Sequence, residues 1–315
     1  MKKTAFLFPG QGSQSVGMCH DFYQEFDFVR EIFDIAQEIT KINLSKLCFK
    51  GPMEELTKTV NLQPAVTAVN LSFLAAIEKE NMSPDFTAGH SLGEYSALCS
   101  SQIISKEDAI RLVFKRGALM HREAEKNKGA MAAIIGLAID DVRQLVASLQ
   151  SGGGTVSVAN HNTETQIVIT GSPDQVKQAC AMASSKGARA IPLKVSGAWH
   201  SELIKGAEEE FTDFLDSVDF KADNNSLVFN VTADFASEPD EIRSIMAQQL
   251  CSPVRWYDSM LKLQAQEVEL FVEVGPGRVL SGLSKKILPK KYHEKILNIN
   301  SLKSFENFLK IAQTL

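Results

Sequence analysis

Short, almost wholly apolar runs alternate along the chain with longer segments whose apolar residues return every three or four positions. Thr4–Phe8 is such a run and reads as a strand, followed by the glycine-rich loop Pro9–Gly12. Helical spacing covers Asp27–Glu38 and about Pro64 to Lys79, with Pro64 suited to a first helical turn. Met82–Ser100 reads as strand, tight turn and helix. Ser105 and Asp108 have the spacing of a capping box for a helix running to about Glu125. The centre has a different rhythm. Ala130–Leu137 is a strand, Ala138–Gln150 a helix, Gly152–Gly154 a turn, and Thr155–Asn160 and Thr165–Gly171 are strands. Ser172–Gly187 is a helix and Ala188–Val195 a strand. This βαββαβ order defines a small unit, 129–195, that interrupts a larger one, 1–128 and 196–315. The larger unit resumes with the loop Ser196–Ser201, a helix from Ser201, a strand at Ser226–Val231, a helix near Asp240–Leu250 and a strand at Val268–Gly275. Its alternating strands and helices imply an open, mostly parallel sheet covered on both faces.

Composition narrows the class. The 315 residues are 44% hydrophobic and 23% charged, enough apolar material for a large core, and their net charge of −5 argues against a nucleic-acid binder. A small basic patch for an anionic ligand stays compatible with that balance. Five scattered cysteines without a C-x-x-C pair disfavour zinc and redox motifs and fit a reduced, cytoplasmic protein. The start of the chain has two lysines and then only Thr4–Phe8 before Pro9, too short for a secretory apolar region. No run approaches transmembrane length, so no membrane association is expected.

The candidate chemistry begins at Gly89-His90-Ser91-Leu92-Gly93, a G-x-S-x-G pattern with a strand before it and a helix after it. That context is a nucleophile elbow in an α/β-hydrolase-like core, where small neighbours leave room for a strained serine above a helix N-terminus. An oxyanion hole needs two backbone N–H groups. Leu92, next after the nucleophile, supplies one. The loop Pro9–Gly12 is the best source of the second, through Gln11. The same loop fails as a phosphate cradle, because no G-K-[ST] follows and its glycines do not fit G-x-G-x-x-G.

Six histidines compete for the role of base. His90 adjoins Ser91, and neighbours at an elbow diverge. His121 lies late in a helix and His293 in a lysine-rich tail, both read as solvated, and His161 falls in a turn. His200 follows a strand in a glycine-containing loop, where such sheets present catalytic groups, and comes after the serine as in hydrolase chain order. A histidine that merely ties its own loop is the alternative. No acid stands out as its partner, and a main-chain carbonyl is able to orient it. On the helix from Lys106, Glu107, Arg111, Lys115 and Arg122 form a polar side while Ala109, Leu112, Val113 and Met120 form an apolar one. Arg116 falls within the apolar side. A core-facing guanidinium needs an anion, either an internal carboxylate or a substrate carboxylate held by two parallel bonds.

Further motifs complete a set: FPGQGSQ at Phe8–Gln14, QPA at Gln63–Ala65, GHSLGEYSAL at Gly89–Leu98, KRG at Lys115–Gly117, GAMAAIIGL at Gly129–Leu137, AWHS at Ala198–Ser201, QL before SPVRW at Gln249–Trp256, and EVGPGRVL at Glu273–Leu280. In this order they resemble the malonyl-CoA:acyl carrier protein transacylase family over nearly the whole chain. The resemblance implies an α/β-hydrolase-like core with an inserted ferredoxin-like subdomain. It implies a malonyl ester on Ser91, His200 as acid and base, Arg116 on the free carboxylate, and Gln11 and Leu92 as the oxyanion hole. The carbonyl of Gln249 would orient His200, and Gln63 and Asn162 would be supporting polar contacts. Malonyl-CoA and a holo acyl carrier protein would be the partners of a monomer needing neither cofactor nor metal. Lys285, Lys286, Lys290 and Lys291 are candidates for guiding an acidic carrier. One departure is visible: the family often has Gly-Pro-Phe before the histidine, and this chain has Gly197-Ala198-Trp199, which bears on the width of the acyl pocket. A trans-acting polyketide acyltransferase shares all this chemistry. A thioester hydrolase is disfavoured by Arg116, and an inactive carrier-binding module by the Ser91–His200 pair.

Overall fold

The computed structural model describes residues 3–224 and 226–312. The chain opens with β1 (Thr4–Phe8), then helices α1 (His20–Glu25), α2 (Asp27–Thr40), α3 (Leu44–Lys50), α4 (Met53–Thr57) and α5 (Thr59–Lys79). After these come β2 (Phe86–Gly89), α6 (Gly93–Ser100) and α7 (Lys106–Lys126). A second group follows: β3 (Ala130–Ile135), α8 (Ile139–Ser151), β4 (Val156–Thr163), β5 (Gln166–Gly171), α9 (Pro173–Ser185) and β6 (Arg189–Pro192). A 3-10 turn, Glu202–Ala207, leads to α10 (Glu208–Leu215), β7 (Leu227–Val228), α11 (Pro239–Gln248), α12 (Trp256–Ala265), β8 (Leu270–Val274) and α13 (Val279–Ile287). A further 3-10 turn, Lys290–Lys295, precedes β9 (Ile296–Ile299) and α14 (Leu302–Ala312).

Two sheets result. The larger has the order β7-β2-β1-β8-β9 and is parallel throughout, so the loops after its strands gather at one edge. Both faces are covered, as a parallel sheet requires. In β1, Phe6 and Phe8 join the core beneath α2, α5, α6 and α7, while Ala5 and Leu7 face α12 and α13 with Phe271 of β8. The smaller sheet, β4-β5-β3-β6, is antiparallel, and α8 and α9 bury its far face.

Two elements, α5 and β7, depart most from the sequence reading. Helix α5 begins at Thr59, not Pro64, and carries the proline inside it. Gly117 of α7 lets the two helices meet there, since a Cβ at Gly117 would stand 3.0 Å from the Thr59 carbonyl oxygen. That packing extends the helix past a residue that usually begins one. The same helix is long and apolar enough to cross a membrane, contrary to the expectation that no run is. Its side chains from Leu62 to Ile77 are buried by the sheet and by α2, α6 and α7, which explains an apolar surface on all sides. Finally, the strand expected over Ser226–Val231 is only Leu227–Val228. It pairs with Thr87 and Ala88, and the chain then leaves the sheet.

Glu273 shows how the sheet fixes a helix. Buried in β8, its carboxylate accepts N–H bonds from Leu280 (2.9 Å) and Ser281 (2.7 Å), donors in the first turn of α13 that have no partner within the helix. Glu273→Ala should therefore lower unfolding free energy by about 1–3 kcal/mol without changing the denaturant slope, as read by urea unfolding. A midpoint equal to the wild type would contradict the capping role.

Candidate active site

Strand β2 ends at Gly89 and α6 starts at Gly93, and the three residues between them leave Ser91 at a φ of 51°, in the left-handed region. The turn is tight enough that a Cβ at Gly93 would lie 1.9 Å from the Phe8 carbonyl oxygen, and one at Gly89 would strike the Gly93 backbone. Ser91 Oγ stands 2.8 Å from His200 Nε2. His200 Nδ1 faces two carbonyl oxygens, of Gln249 and Ser252, each at 3.1 Å. Two acceptors on that side place the ring proton on Nδ1 and leave Nε2 free to accept the serine proton. Burial, and then the charge of Arg116, push His200 down to about 3, so it rests as the neutral base.

Arg116 is buried, 2% exposed, with Nη1 donating to Gln63 Oε1 (2.9 Å) and Nη2 to Ser91 Oγ (3.2 Å). Its Nε has no partner, and among the described residues no carboxylate forms an ion pair with it. The Tyr95 ring lies 5.7 Å from the guanidinium. The nearest buried acid in this environment, Glu94, is already bonded through both oxygens to N–H groups elsewhere. Arg116 is thus a cation set beside the nucleophile with donors to spare.

The loop after β1 lies against the elbow because β1 and β2 are neighbours, with the His90 N–H donating to the Phe8 carbonyl at 3.0 Å. Among the described residues no acceptor faces the N–H of Gln11 or of Leu92. Ser91 Oγ, Arg116, Gln11, Leu92 and His200 all line one cavity of about 110 Å³. Gln63, His90, Met120, Met131, Asn160, Leu193, Val195 and Trp199 complete its wall. That volume suits a short acyl group. Trp199 is buried, its ring folded over Gly197 beside Ala124. A larger cavity of about 380 Å³ lies across His200, walled by Ser201, Glu202, Cys251 and residues of β4 and β5, and does not reach Ser91.

Each candidate has a place. Gln63 fixes Arg116, its own amide N–H held by Thr59 Oγ1 at 2.9 Å and the Met120 sulfur at 3.2 Å. Asn162 stands one step back: its Oδ1 meets His90 Nε2 at 2.8 Å, and Asn160 lines the cavity instead. Irregular pairing between β4 and β5, at Val158/Asn160 and at His161/Thr163, breaks the alternation that would put both asparagines on one face. His161 is in β4 and not in a turn, its ring 4.9 Å from that of Tyr257. His293 is half-buried in a 3-10 turn, where a solvated tail was expected. The sequence reading missed Glu94, Asn230 and the side chain of Gln249, which sit beneath the elbow. A glutamate among the apolar residues of α6 is a signal of the same kind that singled out Arg116.

The acyl transferase domain family matches residues 5–297. The malonyl CoA-acyl carrier protein transacylase of Bacillus subtilis is 44% identical over 288 residues, 91% of each chain. This chain belongs to the malonyl-CoA:acyl carrier protein transacylase family. Among solved structures, the FabD of Acinetobacter baumannii superposes with a TM-score of 0.94 at 38% identity over 99% of both chains. A malonyl-transacylase in complex with a type II polyketide acyl carrier protein gives a TM-score of 0.92 at 35% identity, covering 98% of this chain and 99% of that one.

The neutral state of His200 is open to measurement. In a histidine-labelled NMR titration its ring should stay neutral from about pH 8 down to about pH 5. A midpoint near the ordinary histidine value, about 6.5, would contradict the burial and charge that lower it.

Proposed function

We propose that the protein transfers a malonyl group from malonyl-CoA to the phosphopantetheine thiol of acyl carrier protein, through an ester on Ser91, and so supplies the extender unit for fatty acid synthesis. One observation carries this reading: a buried arginine that forms no ion pair among the described residues touches the nucleophile. An enzyme of neutral acyl groups would leave that guanidinium without a directly bonded anion, its charge offset only by Glu94 at longer range. A substrate with a free carboxylate supplies the missing anion.

The steps balance on residues of this chain. Malonyl-CoA enters with its carboxylate on Arg116. His200 Nε2 takes the Ser91 proton while Oγ bonds to the thioester carbon, and the oxyanion is held by the Gln11 and Leu92 amides. The C–S bond breaks and His200 returns the proton to the CoA sulfur. The carrier thiol then gives its proton to His200 and attacks the ester carbon. The C–O bond breaks and Ser91 recovers its proton. Thiol outcompetes water because it is the stronger nucleophile. Gln63 holds Arg116, and the carbonyls of Gln249 and Ser252 hold His200. The scheme asks for no metal or cofactor. We place the enzyme in the cytoplasm as a monomer, and five free cysteines support a reducing compartment.

The basic patch considered for the carrier divides. Lys290 and Lys291 begin the turn before β9, where Tyr292 lies 6.1 Å from Phe271 near the start of β8, at the sheet edge away from Ser91. Lys286 is on α13 and reaches Gln166 of the smaller sheet, so Lys285 and Lys286 retain the role. A polyketide carrier as acceptor is the second reading, favoured by the likeness to the polyketide malonyl-transacylase complex.

Arg116→Ala should reduce kcat/KM for malonyl-CoA by roughly 30-fold or more, the loss of a buried charge pair of at least about 2 kcal/mol. Relative activity on acetyl-CoA should rise. An unchanged malonyl-to-acetyl ratio would remove Arg116 from the carboxylate role.

A further inference from the structure

Beneath the elbow lies a second buried charge that the transfer scheme does not use. Glu94 is in the first turn of α6, fully buried. Its Oε1 accepts the N–H of Asn230 at 2.6 Å, and its Oε2 accepts Nε2 of Gln249 at 2.6 Å. Both partners then turn to the catalytic residues. Asn230 Oδ1 accepts the Ser91 N–H at 2.7 Å, and its Nδ2 donates to the Gly89 carbonyl at 2.6 Å, closing the strained turn from below. Gln249 Nε2 also donates to the Ser91 carbonyl at 2.8 Å, while its own main-chain carbonyl receives His200 Nδ1. One carboxylate therefore joins the serine's backbone to the acceptor that orients the histidine, although Ser91, Asn230 and Gln249 are far apart in sequence.

We propose that Glu94 is a positioning residue for malonyl transfer, whose ionised carboxylate holds the Ser91 elbow and the Gln249 carbonyl in a single register. The proposal rests on the transfer reaction given above. Its chemistry follows from the donor count. Both oxygens accept from N–H groups, so the ionised form makes two charge-assisted bonds, and a proton on either oxygen removes that charge and weakens them. Loss of either bond frees Asn230 or Gln249 and misplaces the serine against the histidine, where small displacements cost rate more than binding.

Protonation of Glu94 therefore gates the reaction. Burial raises this carboxyl to about 7, against the helping N–H bonds and the charge of Arg116. The titratable groups facing it are Arg116 from α7 and the neighbouring Tyr95. Neither β1 nor β2 contains a titratable residue, and those of α5, Glu78 and Lys79, lie at its far end, where Glu78 pairs with Lys106. His200 is already neutral in this range, so a loss of rate on acidification through neutrality belongs to Glu94. The sign is fixed: transfer is fast above the Glu94 value, where the carboxylate is charged, and falls as the pH drops through it.

The test compares wild type and Glu94→Gln in single-turnover acylation by malonyl-CoA from about pH 5.5 to about pH 8.5. Glu94→Gln keeps the shape and replaces one acceptor with a donor. It should lower the acylation rate roughly tenfold or more, leave KM for malonyl-CoA within about twofold, and flatten the acid limb. Gln249→Leu keeps the main-chain carbonyl and Glu94 while cutting the tie, and should show the same loss of rate at constant KM if Glu94→Gln does not fold. A wild-type rate in these variants, or an activity loss that only tracks the loss of folded protein with the acid limb retained, overturns the proposal. Failure of the wild type itself to form an acyl-enzyme would instead overturn the transfer reaction.

Discussion

A guanidinium buried against a serine is the constraint on which this site depends. Arg116 is surrounded by protein, and among the described residues its charge is supported without an ion pair. Gln63 and the Tyr95 ring supply part of that support, and the rest is left for a ligand. Burial first, and then this same charge, keep His200 unprotonated, while the Gln249 carbonyl ties its Nδ1. A carboxylate arriving on Arg116 would complete the electrostatics of both groups.

The parallel sheet makes that arrangement possible. Because β1 and β2 run side by side in the same direction, the Gln11 loop and the Ser91 elbow leave the sheet together and line one cavity with two residues whose amides bond to nothing among the described residues. The smaller sheet supplies the opposite wall through Met131 and Asn160, and Leu193 and Val195 extend it just beyond β6. Early termination of β7 has a use in the same place, for it lets the chain turn under the elbow so that Asn230 reaches Ser91 and Gly89. A longer edge strand would carry Asn230 along the sheet instead.

Local signals made much of this legible. The glycines around Ser91 announced a turn that excludes side chains, and the βαββαβ rhythm of the centre matched strands and helices now seen in the antiparallel sheet. Arg116 stood out because it broke an apolar face. What escaped depends on tertiary contacts. The start of α5 before Pro64 is set by packing on Gly117, and the difference between Asn160 and Asn162 by irregular strand pairing. The four-residue edge strand β9 and helix α14 follow a lysine-rich turn whose composition hides them. Glu94 has no meaning until Asn230 and Gln249, more than 130 residues further on, are folded onto it.

The central claim is that Ser91 holds malonyl, selected by its carboxylate, until a carrier thiol takes it. Intact-protein mass spectrometry with peptide mapping tests this most directly, after mixing the enzyme with malonyl-, methylmalonyl- and acetyl-CoA and then with a holo acyl carrier protein. The account predicts one malonyl group per chain, mapped to Ser91, formed in preference to acetyl and transferred to the carrier on its addition. A malonyl adduct on another residue, an adduct that discharges to water and not to the carrier, or equal labelling by acetyl-CoA would contradict it.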